Sequence, residues 1–83
     1  MNKEDVIKQL VMNGVTVDIH FSDITSKWYL STSAEVKQGG CLISPVAHED
    51  TLEKAIEIFC TLYKGKHVVI NAYSDKRKEL YIV

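Results

Sequence analysis

The sequence predicts an α+β fold, a two-layer sandwich in which an antiparallel sheet carries two helices on one face, with the element order α-β-β-β-α-β-β. Two segments repeat apolar residues at the three- and four-residue steps of a helix, and several others alternate apolar and polar residues as strands do. Short turn-forming segments separate neighbouring strands, which favours antiparallel hairpins. The 83 residues are enough for a single domain, 1–83.

The composition is that of an ordinary globular protein. Apolar residues make up 46% and charged residues 25% of the chain. No apolar run approaches the ~20 residues that a membrane span needs, and the charged N-terminus lacks the apolar stretch of a signal peptide. Two cysteines do not make a disulfide framework, so we expect a cytoplasmic protein without membrane contact.

The first half of the chain predicts one helix followed by three strands. Asn2 is the expected N-cap of the helix, Gly14 follows its end, and its apolar stripe consists of Val6, Ile7, Leu10 and Val11. Alternation over 15–22 predicts a strand that is buried on one face. That face should carry Val15, Val17, Ile19 and Phe21 towards the helices. Strands at 27–33 and 41–44 follow turns at 22–26 and 38–40.

The second helix has the clearest pattern in the sequence. Asp50 is the expected N-cap and Glu53, three residues on, completes a capping box. Gly65 can end the helix in the left-handed conformation. The inner face is predicted to consist of Leu52, Ala55, Ile56, Phe59, Leu62 and Tyr63. Two more strands, at 67–73 and 79–83, flank a charged loop at 74–78.

Alternation places a polar, tyrosine-rich surface on the side of the sheet away from the helices. Tyrosine suits strands and partly exposed surfaces in any case, which is one interpretation. The other is a partner-binding or homodimer face, because tyrosine combines a large apolar ring with a hydroxyl group. The candidate residues are Asp18, His20, Tyr29, Asn71, Tyr73 and Tyr81.

Candidate residues for metal binding or catalysis are too widely spaced to form a recognised motif. Cys41, His48, Cys60 and His67 show none of the close ligand pairs of structural zinc sites. Cys41 has no local base to activate a thiol. Asp18 and His20 share a strand face and are expected to form no more than a surface ion pair. We therefore expect a non-enzyme with no metal and no cofactor.

Charged residues are segregated along the chain, although the net charge is only −1. An acidic ridge at the start of the second helix consists of Glu49, Asp50, Glu53 and Glu57. A basic cluster consists of Lys64, Lys66, Lys76, Arg77 and Lys78. Both sets are typical of solvated surfaces. The ridge can alternatively occupy a basic groove on a partner protein, and the cluster can contact phosphates beside tyrosines that stack on bases.

The layout of residues 1–65 resembles that of small phage-encoded anti-CRISPR proteins that inhibit Cas9. The resemblance lies in the opening MN followed by EDVI, the three short strands, and the acid-capped helix EDTLEKAIEIF. It implies a compact monomer or dimer that blocks a nucleic-acid channel with acidic side chains, for which Glu49, Asp50, Glu53 and Glu57 are the matching positions. This chain differs in being nearly neutral and in ending with a basic hairpin.

The leading hypothesis is a protein-binding module of a phage or mobile element that inhibits or sequesters a host defence protein. Its basis is the acidic ridge, the tyrosine-rich face and the lack of catalytic motifs. A second hypothesis is a nucleic-acid-binding domain that uses the basic loop and the tyrosine face. A third is a dimer that sequesters a small ligand at its interface.

Overall fold

The chain forms two helices and seven strands within the residues that the structure, a computed structural model, describes: the backbone of 3–83 and the side chains from residue 5 onward. The predicted Asn2 cap lies outside these residues. The elements are α1 (Lys3–Met12), β1 (Val17–Ser22), β2 (Lys27–Thr32), β3 (Glu35–Gln38), β4 (Cys41–Ile43), β5 (Ala47–Glu49), α2 (Leu52–Tyr63), β6 (His67–Ile70) and β7 (Lys78–Tyr81). The predicted α+β class and the antiparallel pairing are confirmed.

The strands form two antiparallel sheets. The first sheet has the order β1-β2-β5 and the second the order β4-β3-β6-β7. Strands β2 and β3 follow each other almost directly in the chain and lie inside the first and second sheets respectively. The structure therefore adds two short strands, β3 and β5, to the three predicted before the second helix.

A register shift accompanies the passage from β2 to β3. Leu30 pairs with Ala47 and Val36 with Ile43, so the chain between Leu30 and Val36 opposes a shorter segment of its partner. Extra residues on one strand of an antiparallel pair bend it and increase its twist. Ala34 lies within this bend and is fully buried. Its N–H donates to the Thr32 hydroxyl at 3.2 Å, and its carbonyl accepts from the Tyr63 hydroxyl at 3.0 Å.

The central helix α2 differs from expectation at its first turn. Thr51, not Asp50, is the N-cap, and its hydroxyl accepts from the N–H of Lys54 at 3.2 Å. Asp50 instead pairs with Lys27 of β2 at 3.4 Å. The Asp50 carboxylate thus forms an ion pair with a distant residue instead of capping the helix. The adjacent Thr51 has the extended backbone conformation that an N-cap requires. At the other end Gly65 has φ of 72°, the predicted left-handed conformation.

Both helices contact each other and the first sheet: α1 contacts β1, and α2 contacts β2 and β5. Buried side chains from α1, α2 and both sheets form one core. Its largest fully buried members are Tyr63, Phe59, Leu10, Leu30, Ile82, Val6 and Val68. Gln9 fastens α1 to the end of the chain, because its Oε1 accepts from the N–H of Val83 at 2.9 Å.

The expectation that Ile19 and Phe21 are covered by the helices is wrong. Both lie on the helix side, because they pair directly with Leu30 and Trp28, yet they remain 54% and 46% exposed. The reason is the size of the helical layer. The ten-residue α1 contacts the start of β1, where Val15 just before the strand is buried and Val17 packs against the core, while α2 lies over β2 and β5. The second half of β1 therefore lies beyond both helices.

Candidate functional site

Three aromatic side chains form a row across the outer face of the first sheet. His20, Tyr29 and His48 lie on β1, β2 and β5 and are direct cross-strand partners. The ring centroids of His20 and Tyr29 are 6.4 Å apart, and those of Tyr29 and His48 are 5.6 Å apart. Directly opposed aromatic residues in a sheet stabilise each other. We call these three residues the aromatic ladder.

The side chains of the ladder are positioned by contacts within the first sheet. A partner could therefore bind them without a rearrangement. The Tyr29 hydroxyl lies 3.1 Å from that of Thr25, so the ring is fixed at both ends. On the opposite face, Phe21 and Trp28 pack with centroids 5.2 Å apart. His20 and His48 are exposed while Tyr29 is half-buried between them. The result is an ordered aromatic surface with polar edges.

The sequence did not identify His48 as part of this surface, because strand β5 was not predicted. By its sequence alone, His48 is only a candidate metal ligand. The available signal is short: Ala47, His48 and Glu49 alternate buried, exposed and half-buried after Pro45 ends the preceding strand. Three residues are too few for a periodicity to stand out.

The other predicted members of the tyrosine-rich face are placed elsewhere. Asp18 lies on the outer face of β1, two residues from His20, and pairs with Ser31. Tyr81 belongs to the second sheet, where its ring packs on His67 with centroids 5.0 Å apart. Tyr73 is 89% exposed in the turn between β6 and β7. The predicted face is therefore divided between two sheets and a turn.

Asn71 has a structural role at the end of β6. Its φ of 54° is in the left-handed region, which asparagine tolerates better than most residues. Its carbonyl accepts from the N–H of Ser74 at 3.1 Å and so closes the following turn.

The acidic ridge follows the last ladder residue in the chain but lies mainly on the other side of the first sheet. Glu49 and Asp50 directly follow His48 in the chain, and Asp50 already has Lys27 as its ionic partner. Glu53 lies in the first turn of α2, and Glu57 lies one turn further along. Glu49 pairs with Trp28, so its side chain projects to the helix side of the first sheet, opposite His48. The ridge therefore runs along the exposed side of α2, around the β5 edge from the aromatic ladder.

The basic cluster lies at the other end of α2 and in the β6–β7 turn. Lys64 is the C-cap of α2 and Lys66 follows Gly65, while Lys76 and Arg77 lie in the turn and Lys78 begins β7. Part of this charge is paired, because Arg77 contacts Glu79 at 3.2 Å.

Glu79 also accepts from Lys37 on β3, again at 3.2 Å. The hydrogen bond from Lys37, followed by that from Arg77, lowers the pKa of Glu79. This network links β3 to β7 across the surface of the second sheet, with Val69 fully buried between Glu35 and Glu79.

The cysteines and histidines are dispersed over different elements. Cys41 is exposed at the start of β4 opposite Gln38, and Cys60 is buried in α2. His48 and His67 each pack on a tyrosine, in different sheets. From residue 5 onward, no group of three or more histidine, cysteine, aspartate or glutamate side chains is placed to hold a metal ion.

No helix in the described part of the chain is both long enough and apolar enough to span a membrane. No protein-family model matches this chain, and comparison with curated proteins and with solved structures finds no significant match.

Proposed function

We propose that this chain is a small non-catalytic protein-binding module and that the aromatic ladder is the centre of the contact. The observation that carries the proposal is the row of His20, Tyr29 and His48, ordered and accessible on the face of the first sheet that no helix covers. Rigid aromatic side chains with a polar end contribute large contact area at little entropic cost and are enriched among residues that dominate binding energy.

The acidic ridge supplies a second, electrostatic contact on the helix side of the first sheet. Glu49 projects to the helix side opposite the ladder, and Asp50 is already paired with Lys27, so only a partner that wraps around the β5 edge would meet both the ladder and the ridge. Charges at a rim mainly raise the association rate and select partners of opposite sign. The partner is therefore expected to present an apolar patch to the ladder and a separate basic groove to the ridge.

The resemblance to Cas9 inhibitors supports a host defence protein as partner and the bacterial cytoplasm as the location. That support comes from the two helices and the acidic start of α2, which correspond in layout. Between the helices the described chain has five strands, where the resemblance rests on three. On this proposal the chain is an accessory protein of a phage or mobile element that inhibits its target by occupying it.

Replacing Tyr29 with serine is expected to weaken binding to the partner by at least about tenfold, because central aromatic residues contribute roughly 2 kcal/mol or more. The measurement is retention from nuclease-treated bacterial lysate by the immobilised chain, followed by titration with the purified retained protein. Guide-loaded Cas9 proteins are the first purified candidates, with inhibition of DNA cleavage as the readout.

Tyr73→Ser is the matched control, because Tyr73 is the more exposed tyrosine but lies outside the ladder. It should bind like the parent chain. Circular dichroism establishes that both variants are folded. Retention of no specific protein from the lysate, or equal loss of binding in both variants, would contradict the proposal.

A second candidate function, nucleic-acid binding, is favoured by the β6–β7 turn. Tyr73 is 89% exposed in the same turn as Lys76 and Arg77, which places a stacking ring beside cations. On this alternative, oligonucleotide affinity falls steeply as salt rises, and Tyr73→Ser weakens it severalfold while Tyr29→Ser does not. Fluorescence anisotropy with labelled single strands tests it; absence of binding at low salt removes it.

A further inference from the structure

Strand β1 has one free edge and carries apolar side chains that the fold leaves uncovered. In the first sheet β1 pairs only with β2, and no other strand of the described chain pairs with its outer edge. Its four central residues, 18–21, are exposed, on both faces of the strand. A long edge strand with exposed apolar residues is a template for pairing with another chain. We infer that a second copy of this chain pairs antiparallel with β1 in a register centred on Ile19.

The sequence of β1 is self-complementary in that register. Residues directly opposite each other in an antiparallel pair project on the same face. With Ile19 facing its own copy across a two-fold axis, Asp18 faces His20 of the second copy, and His20 faces Asp18. A carboxylate facing an imidazole that can donate to it is favourable, and the symmetry makes two such pairs.

On the side of the paired strands that faces the helices, this register brings only apolar residues opposite each other. Ile19 faces Ile19, and Val17 faces Phe21 of the second copy, at positions whose side chains the helices leave open or only partly cover. Pairs between aromatic and β-branched residues are among the more stabilising in sheets. The two-fold contact thus buries the apolar side chains that the monomer leaves in water.

The neighbouring registers lack this complementarity. Centring the pair on Asp18 places that carboxylate against its own copy, and like charges directly opposite each other are destabilising. Centring it on His20 places two imidazoles together and leaves Asp18 facing Ser22. Charge therefore selects the register centred on Ile19.

The dimer would join two first sheets into one of six strands, with both aromatic ladders on the same outer face. Each ladder would continue, through the pair of His20 and Asp18, into the other copy. The inference does not rest on the proposed function, because it concerns the purified chain alone and is tested without any partner.

The test is the molar mass of the chain by sedimentation equilibrium from about 1 μM to about 1 mM, which spans weak to moderate association. The parent chain should approach twice its 9.4 kDa with rising concentration. Ile19→Lys places two cations on the two-fold axis and should keep the mass at 9.4 kDa throughout. The matched control is Ile24→Lys, which makes the same change in the turn after β1, at a residue 92% exposed, and should still dimerise.

Cysteine cross-linking tests the register. In a Cys41→Ser background, which removes the exposed native thiol, Ile19→Cys should form a disulfide-linked dimer under mild oxidation, and Ile24→Cys should not. A monomeric parent chain at every concentration would overturn the inference. Equal dissociation of the two lysine variants would also overturn it.

Discussion

Replacing Phe59 with alanine is expected to lower the free energy of unfolding by about 3–5 kcal/mol, the usual cost of deleting a buried aromatic ring. Phe59 is fully buried on the inner face of α2, and its ring packs on that of Tyr63 with centroids 5.0 Å apart. A domain of 83 residues has a total stability of only roughly 4–12 kcal/mol. We therefore expect the thermal midpoint to fall by about 12 °C or more, as measured by circular dichroism.

The control is Ile58→Ala, one position earlier on the same helix. Ile58 is exposed, so removing its side chain should cost less than about 1 kcal/mol. Alanine has the highest helix propensity, so neither substitution weakens the helix intrinsically. A similar loss in both variants would therefore mean that Phe59 is not the more deeply buried of the two side chains.

Helix α2 could be predicted closely because its information is local. The apolar spacing that includes Ala55, Phe59 and Tyr63 repeats over the whole helix, and all three residues are buried. The one error, at the N-cap, came from a distant residue. Asp50 and Thr51 are both good caps by type. Lys27 on β2 pairs with the Asp50 carboxylate, and Thr51 caps the helix.

The bend between β2 and β3 could not be predicted in the same way. Residues 33–34 separate β2 from β3. This separation is stabilised by the hydrogen bond from Tyr63 and by the strand pairing with residues 43–47. Neither is near in sequence. Strand β3, with the sequence EVKQ, also has a single buried residue, Val36, so no alternation marks it.

The candidate site shows the same division between local and distant information. Alternation correctly placed His20 and Tyr29 together on the outer face, because both lie in strands with a clear period. The third member of the ladder, His48, depends on pairing of β5 with β2, which no local pattern shows. The exposure of Ile19 and Phe21 depends on how much of β1 the helix α1 covers. That is set by the packing of the helices and not by the sequence of the strand.

Replacing Tyr63 with phenylalanine is expected to lower the free energy of unfolding by about 1–3 kcal/mol, although it removes a single oxygen atom. The Tyr63 hydroxyl donates to the carbonyl of Ala34 at 3.0 Å, and both residues are fully buried. Phenylalanine would leave that carbonyl without its donor in the core, at the point where the chain bends from the first sheet to the second. Urea denaturation of both proteins at pH 7 measures the difference. Tyr81→Phe is the control, since it removes the hydroxyl of an exposed tyrosine and should change stability by less than about 0.5 kcal/mol.

The difference between the parent chain and Tyr63→Phe should also depend on pH in a defined direction. Burial raises the pKa of Tyr63, because the charged phenolate is poorly solvated in the core. The folded state therefore keeps its proton above pH ~10, where the unfolded chain releases it. The contribution of the hydroxyl is fully present below pH ~10 and declines as the pH rises further, so the stabilities of the two proteins should converge in alkaline solution. A difference that stays constant from neutral to strongly alkaline pH would mean that the Tyr63 hydroxyl is not buried against Ala34 in the folded protein.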